Sequence, residues 1–273
     1  MLRPNRILVL LFVCAFTAFA AGAQNQTSVQ TSSVAAQGLA LAQRALTAMT
    51  NGIGVIDVTL TGTAQRIAGS DDETGTITLR ARGTAESRMD HVVSGGTRSE
   101  VRNSANGAPQ GEWIGLDGTA HPMAYHNCQT DAAWFFPALS VQSQLANPNL
   151  SVSYVGQETK NQIAVYHLQF ILHHTGVSAD IASRLDPLTA TDVYLEASSF
   201  LPVAIVTNTH PDNNLLMNIP VEVDFSDYRV VQGVPVPFRI QKFLNGSLSL
   251  DVTVQAATVN SGLSDAEFSV QSS

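Results

Sequence analysis

Phe225-Ser226-Asp227-Tyr228-Arg229-Val230-Val231-Gln232-Gly233-Val234-Pro235-Val236-Pro237-Phe238-Arg239-Ile240 is the stretch whose reading decides the fold. Gly233 is free to take the positive φ of a tight turn, and it stands between two runs of strand composition, Leu216–Tyr228 and Val236–Phe243. Pro235 and Pro237 donate no ladder hydrogen bonds, so they suit the first residues of a strand or a strand edge. The stretch reads as a β-hairpin, and its period of two recurs along most of the chain.

Upstream, Val55–Ile67 alternates, with Ile56, Val58 and Leu60 on one side and Asp57, Thr59 and Thr61 on the other. Gly75–Arg82, Thr84–Val93, Glu112–Leu116 and Ile163–Leu172 follow the same pattern, separated by turns such as Ser94-Gly95-Gly96 and Asp117-Gly118. Asp192–Glu196, Val203–Asn208 and Leu248–Val259 complete roughly ten strands, read by the alternation rule. One apolar face and one face of Thr, Arg and acids is the mark of a half-solvated antiparallel sheet. A twisted sheet this wide curls or closes, leaving a concave apolar face to be filled. Val34–Met49 carries Leu39, Leu41, Ala42, Ala45, Leu46 and Met49 at helical spacing and ends at Asn51-Gly52. That helix and a mid-chain segment, Asp131–Asn147, are the natural plugs; the latter opens on Trp134-Phe135-Phe136 and predicts a short helix or two. Ser178–Leu185 is a weaker helix candidate, stopped by Asp186-Pro187. The fold class is therefore α+β, mainly β: a curled antiparallel sheet, an open or half barrel, with helices packed on its concave face.

The N-terminus is an address. Arg3 and Arg6 precede the apolar run Ile7–Ala20, and Ala21-Gly22-Ala23 supplies a small-x-small cleavage pattern. Residues 1–23 read as a signal peptide; the competing reading, a membrane anchor, needs about 20 apolar residues. Residues 24–33, rich in Gln, Ser and Thr, read as a disordered leader, and 34–273 as a single domain. Cleavage removes Cys14 and leaves Cys128 alone, so no intrachain disulfide is available and the core must supply stability. With 14 Lys+Arg against 22 Asp+Glu, two of them lysines (Lys160, Lys242), the chain has no basic stripe for nucleic acid.

Three pieces of the C-terminal half carry a family likeness. Asp192-Val193-Tyr194-Leu195 is followed by Ser199-Phe200-Leu201-Pro202-Val203, then by the hairpin stretch, and last by Val259-Asn260-Ser261-Gly262-Leu263-Ser264-Asp265-Ala266-Glu267-Phe268. In this order they resemble the outer-membrane lipoprotein-sorting carriers, the LolA/LolB-like superfamily. The resemblance implies a periplasmic, non-enzymatic protein whose concave apolar face accepts lipid or the acyl chains of lipoproteins. The chain is longer than the compact carriers, and no lipidation cysteine follows the signal, which argues against the membrane-anchored receptor branch.

Other chemistry is sparse. His121, His126, Cys128 and Asp131 are ligand-capable but match no metal-site spacing, and His173-His174 reads as a polar turn, so neither a metal nor a cofactor is expected. Asp71-Asp72-Glu73 reads as a hairpin tip. A Gly-x-Ser-x-Gly elbow, a phosphate-cradling loop and His-Glu-x-x-His do not occur, so no enzymatic activity is expected. The candidate ligand-binding side chains are Met89, Trp113, Trp134, Phe135, Phe136 and Phe238. For the aromatic triplet two readings stand: a movable flap over a cavity, or a core plug. They separate two functions, a lipid carrier and an envelope interaction or sensor module with a filled core and a protein partner.

Overall fold

The computed structural model describes residues 21–105 and 107–271. The predicted signal peptide lies outside these, but for its last three residues. Thirteen strands make one antiparallel sheet: β1 (Asp57–Ala68), β2 (Asp71–Arg82), β3 (Glu86–Val93), β4 (Gly96–Ala105), β5 (Ala108–Ile114), β6 (Ala120–Pro122), β7 (Leu150–Lys160), β8 (Ile163–Leu172), β9 (Thr191–Glu196), β10 (Pro202–Thr209), β11 (Ile219–Val231), β12 (Val234–Leu244) and β13 (Ser247–Val259). Their order is β6-β5-β4-β3-β2-β1-β13-β12-β11-β10-β9-β8-β7. Two meanders thus join at the centre through β1 and β13, and the ends, β6 and β7, leave the sheet unclosed.

The hairpin reading holds in detail. Val231 pairs with Val234, and the two residues between them, Gln232 and Gly233, both have positive φ, 50° and 87°, as a type I′ turn requires. Pro235 and Pro237 lie where β12 is paired with β11 alone, since its register with β13 starts at Arg239. The missing N–H groups therefore cost no ladder bond.

Helix α1 (Ala21–Thr50) buries Leu41, Ala42, Ala45 and Met49 against the sheet, while Leu39 is exposed. Its start differs from the expected disordered leader: the backbone of 24–33 is helical. No proline interrupts this tract, and extending a packed helix costs far less than nucleating one. Gly38 lets α1 approach β7, because a Cβ there would sit 2.9 Å from the Tyr154 backbone nitrogen. At the other end Asn51 Nδ2 donates to the Gly233 carbonyl (2.8 Å), fixing the helix terminus to the hairpin tip.

The chain between β6 and β7 runs from one sheet edge to the other and so crosses the trough. It carries 3-10 turns at Pro137–Leu139 and Val141–Gln144, where the sequence suggested a short helix or two, and another at Tyr125–Gln129, ahead of that segment. Helix α2 (Ala179–Leu185) starts at Ser178, whose Oγ accepts from Ile181 N–H. Phe135, Phe136 and Leu139 join Leu41, Met49, Leu60, Leu79 and Phe225 in one core between α1, the crossing segment and the sheet.

Three strands beyond the expected ten are β4, β6 and β7. β4 escaped because its pattern is inverted. Glu100 and Arg102 face the trough, while Val101 faces outward and is buried at the face where the C-terminal segment lies: Asn103 Nδ2 donates to the Phe268 carbonyl and Glu112 accepts from Gln271 N–H. A second correction concerns β1. Ile56, expected on the apolar face, is 64% exposed, whereas Asp57 is buried. The Asp57 carboxylate accepts from the backbone N–H groups of Ser261 and Gly262 and from Ser261 Oγ, at 2.7 to 2.9 Å. Burial raises its pKa, but these hydrogen bonds win and hold it below the ordinary value.

Candidate functional site

The inward row of β12 reads Val236, Phe238, Ile240, Lys242 and Leu244, one ammonium in an otherwise apolar file. On the same face Val223 of β11 and Leu250 of β13 pair with Lys242 from either side. The ladder breaks just beyond: Leu250 pairs with Lys242 but Leu248 with Phe243, so Ser249 is a bulge residue, and its Oγ donates to the Lys242 carbonyl (2.9 Å). A bulge bends its strand locally and can re-aim a side chain. Across the trough, Met89 pairs with Glu100 and Glu100 with Trp113, so β3, β4 and β5 present these three side by side on the opposite wall.

Between the two walls lies a cavity of about 790 Å³. This falls within the roughly 300–1,000 Å³ range of small-molecule sites. Its apolar wall comes from Met89, Trp113, Trp134, Ile205, Val223 and Leu250, and its polar part from Glu100, Arg102, Asn127, Asp131 and Lys242. The crossing segment forms the roof and is strapped to both walls. Arg102 donates to the carbonyls of Cys128 (2.8 Å), Thr130 (2.6 Å) and Asp131 (3.0 Å). On the other side Asn127 donates to the His210 carbonyl and accepts from His210 N–H, both at 2.8 Å, and from Thr209 Oγ1.

The aromatic triplet splits between roof and core. Trp134 lines the cavity and stands edge-on to Phe135, with centroids 5.4 Å apart; Phe135 and Phe136 are 0% exposed and fill the core. Phe238 is likewise a core residue, with the Arg229 guanidinium 4.3 Å from its ring centroid. Of the six candidates, Met89, Trp113 and Trp134 line the cavity and the other three do not. Adjacent residues with opposite roles were not separable by composition.

What sequence reading missed is the charged group. Lys242 Nζ sits 4.2 Å from the centroid of the Trp134 ring. Burial pushes its pKa down, the Glu100 carboxylate pulls it back, and the Arg102 guanidinium adds to the fall. Glu100 and Arg102 are each 4% exposed, yet Glu100 Oε2 and Arg102 Nε have no hydrogen-bond partner among the described residues. The available signal was a lysine inside an apolar alternating run, together with the inverted pattern of β4.

Elsewhere the polar residues hold structure. Glu73 pairs with Arg66 and Arg98 at the β1–β2 hairpin tip. His126 bonds the Pro211 carbonyl, and burial raises the pKa of the Cys128 thiol. Among the described residues no group of three His, Cys, Asp or Glu is close enough to share a metal ion. His173 and His174 both bond Asp186, at 2.8 and 3.0 Å, and His173 Nε2 lies 2.9 Å from Ser151 Oγ. This serine–imidazole–carboxylate line ties β7 to the chain after β8, and neither Ser151 nor His173 lines the large cavity.

No family model matches the chain, and no curated protein matches it. Solved structures do. A domain described as an outer membrane lipoprotein-sorting protein, from Vibrio parahaemolyticus, superposes with a TM-score of 0.54 at 12% identity over 86% of this chain and 97% of that one. A DUF1329 family protein from Desulfovibrio piger gives 0.54 at 11% identity, covering 86% and 97%. The likeness drawn from the three C-terminal pieces is upheld at the level of architecture: the chain has the fold of the outer-membrane lipoprotein-sorting domains.

Proposed function

We propose that this protein is an exported, non-enzymatic carrier that shelters the acyl chain of a lipid or lipoprotein between the two walls of its sheet. The observation that carries the reading is the cavity itself, roofed by Trp134 and walled by Met89, Trp113, Ile205, Val223 and Leu250. Each methylene moved from water into such a wall contributes about 0.8 kcal/mol, so part of one chain suffices for useful affinity. The periplasm is the compartment that the N-terminal address and the shared fold suggest; no described helix is long and apolar enough to cross a membrane.

Organic extraction of the purified protein followed by lipid mass spectrometry, with titration of a fluorescent fatty acid, tests it. Stoichiometric lipid or saturable uptake is expected. Absence of both would leave the second reading, an envelope interaction or sensor module. That alternative draws on Phe135 and Phe136, which fill the other half of the trough as a plug does.

A further inference from the structure

The polar end of the cavity is an unusual place for an ammonium. Lys242 has no ion pair among the described residues, only the face of Trp134, and its lateral neighbours are Val223 and Leu250. Beside it Arg102 spends one side of its guanidinium on the roof carbonyls and leaves Nε unmet. Arg102 Nε is a buried donor without a partner among the described residues, Glu100 Oε2 a buried acceptor without one, and the half-buried Lys242 adds an ammonium that reaches the same space. A buried donor left without a partner is costly, so an acceptor brought by a ligand would complete Arg102 Nε, with the Lys242 ammonium beside it. Glu100 faces the same space, and Lys242 can serve it and an incoming oxyanion together. Leu244, at the exposed end of β12, and Leu248 continue the wall as apolar surface away from the charges.

We propose that the cavity is built for a single-chain amphiphile with an oxyanion head, which enters head-first to meet Lys242 and Arg102 while its tail lies along Val223, Leu250 and Leu244. This rests on the carrier reading and narrows it. A lipoprotein inserting tail-first would press methylenes against the ammonium and leave it unpaired. A fatty acid or an alkyl phosphate satisfies the donors and the apolar wall at once.

The test is displacement of a neutral fluorescent probe, N-phenyl-1-naphthylamine, by four twelve-carbon competitors: dodecanoate, dodecyl phosphate, dodecanol and dodecylamine. The two oxyanions are expected to compete at least about tenfold better than the alcohol and the amine, equivalent to about 1.4 kcal/mol. Dodecanoate and dodecyl phosphate compared with each other distinguish a carboxylate from a phosphate head. In Lys242→Met the acid-to-alcohol ratio falls to about one, and in Lys242→Arg the preference survives. A single cooperative melting transition for Lys242→Met shows that the fold is intact, and survival of the preference in Lys242→Arg keeps the test decisive if Lys242→Met melts lower because Glu100 has lost its neighbouring cation. Equal competition by acid and alcohol in the parent protein, or a preference that persists in Lys242→Met, overturns the head-first proposal and leaves the carrier reading standing. No displacement by any of the four overturns the carrier reading and the proposal with it.

Discussion

Truncating Trp134 and Phe135 in turn separates roof from core with two neighbouring residues. Phe135 is 0% exposed within the main cluster, so Phe135→Ala leaves a void lined by packed groups. Fully buried Phe→Ala changes cost about 3–5 kcal/mol, a sum of lost transfer energy and cavity formation. For a domain of this size each kcal/mol lowers Tm by about 2–4 °C, so a fall of about 6 °C or more is expected. Trp134 is only partly buried and already borders open space. Its truncation enlarges an existing cavity rather than opening a new one, and it removes the ring over Lys242, an interaction of about 0.5–2 kcal/mol. Trp134→Ala should therefore cost about half as much as Phe135→Ala while changing probe uptake by the larger factor. Urea unfolding gives the stabilities, provided the slope m is unchanged, and neutral-probe fluorescence gives the uptake. Equal destabilisation, or a larger uptake change in Phe135→Ala, refutes the division of roles.

Gly38→Ala carries a sign that contradicts the usual rule: a mid-helix glycine replaced by alanine normally gains about 0.5–1 kcal/mol, but here the new Cβ meets β7 backbone at 2.9 to 3.1 Å, so thermal denaturation should show a loss of about 1–3 kcal/mol. Asp186 makes stability acid-sensitive. Burial raises its pKa, but hydrogen bonds from the His174 backbone N–H and from the two imidazoles win and hold it at about 2, against an ordinary 3.8. A carboxyl depressed in the folded state stabilises at neutral pH, and that contribution fades as pH falls from about 4 to about 2, so Asp186→Asn should flatten the stability curve in that window; an unchanged slope there refutes the assignment. Ser151, although aligned with His173 and Asp186, should stay unlabelled by a fluorophosphonate at concentrations that saturate a serine hydrolase; labelling lost in Ser151→Ala would contradict the non-enzymatic reading.

The sheet was legible wherever strands obeyed the half-buried pattern. Ile77, Leu79 and Ala81 alternate with polar residues and do face the core, and Gln232-Gly233 turns as hairpin chemistry requires. Legibility failed where the third dimension reverses the rule. β4 points Glu100 and Arg102 inward and Val101 outward, because the C-terminal segment lies on its outer face and the cavity needs polar groups on its inner one. Asp57 is buried because a turn some two hundred residues later supplies its donors. The same holds at the site. Trp134-Phe135-Phe136 announced a large apolar role, but which ring faces the cavity depends on a segment that spans the trough from β6 to β7. Lys242 stands out in the sequence as a lysine inside an apolar alternating run, but what it faces is given only by β3, β4 and β5 across from it; local inconsistencies of this kind are expected at functional positions.

The central claim is that the trough holds one apolar chain, and native mass spectrometry of the delipidated protein mixed with dodecanoate measures this most directly. The account predicts a single added ligand mass that saturates at one per chain and is weakened in Trp134→Ala. A spectrum that shows only the unliganded mass at saturating dodecanoate, or a ladder of adducts without a plateau at one, would contradict it.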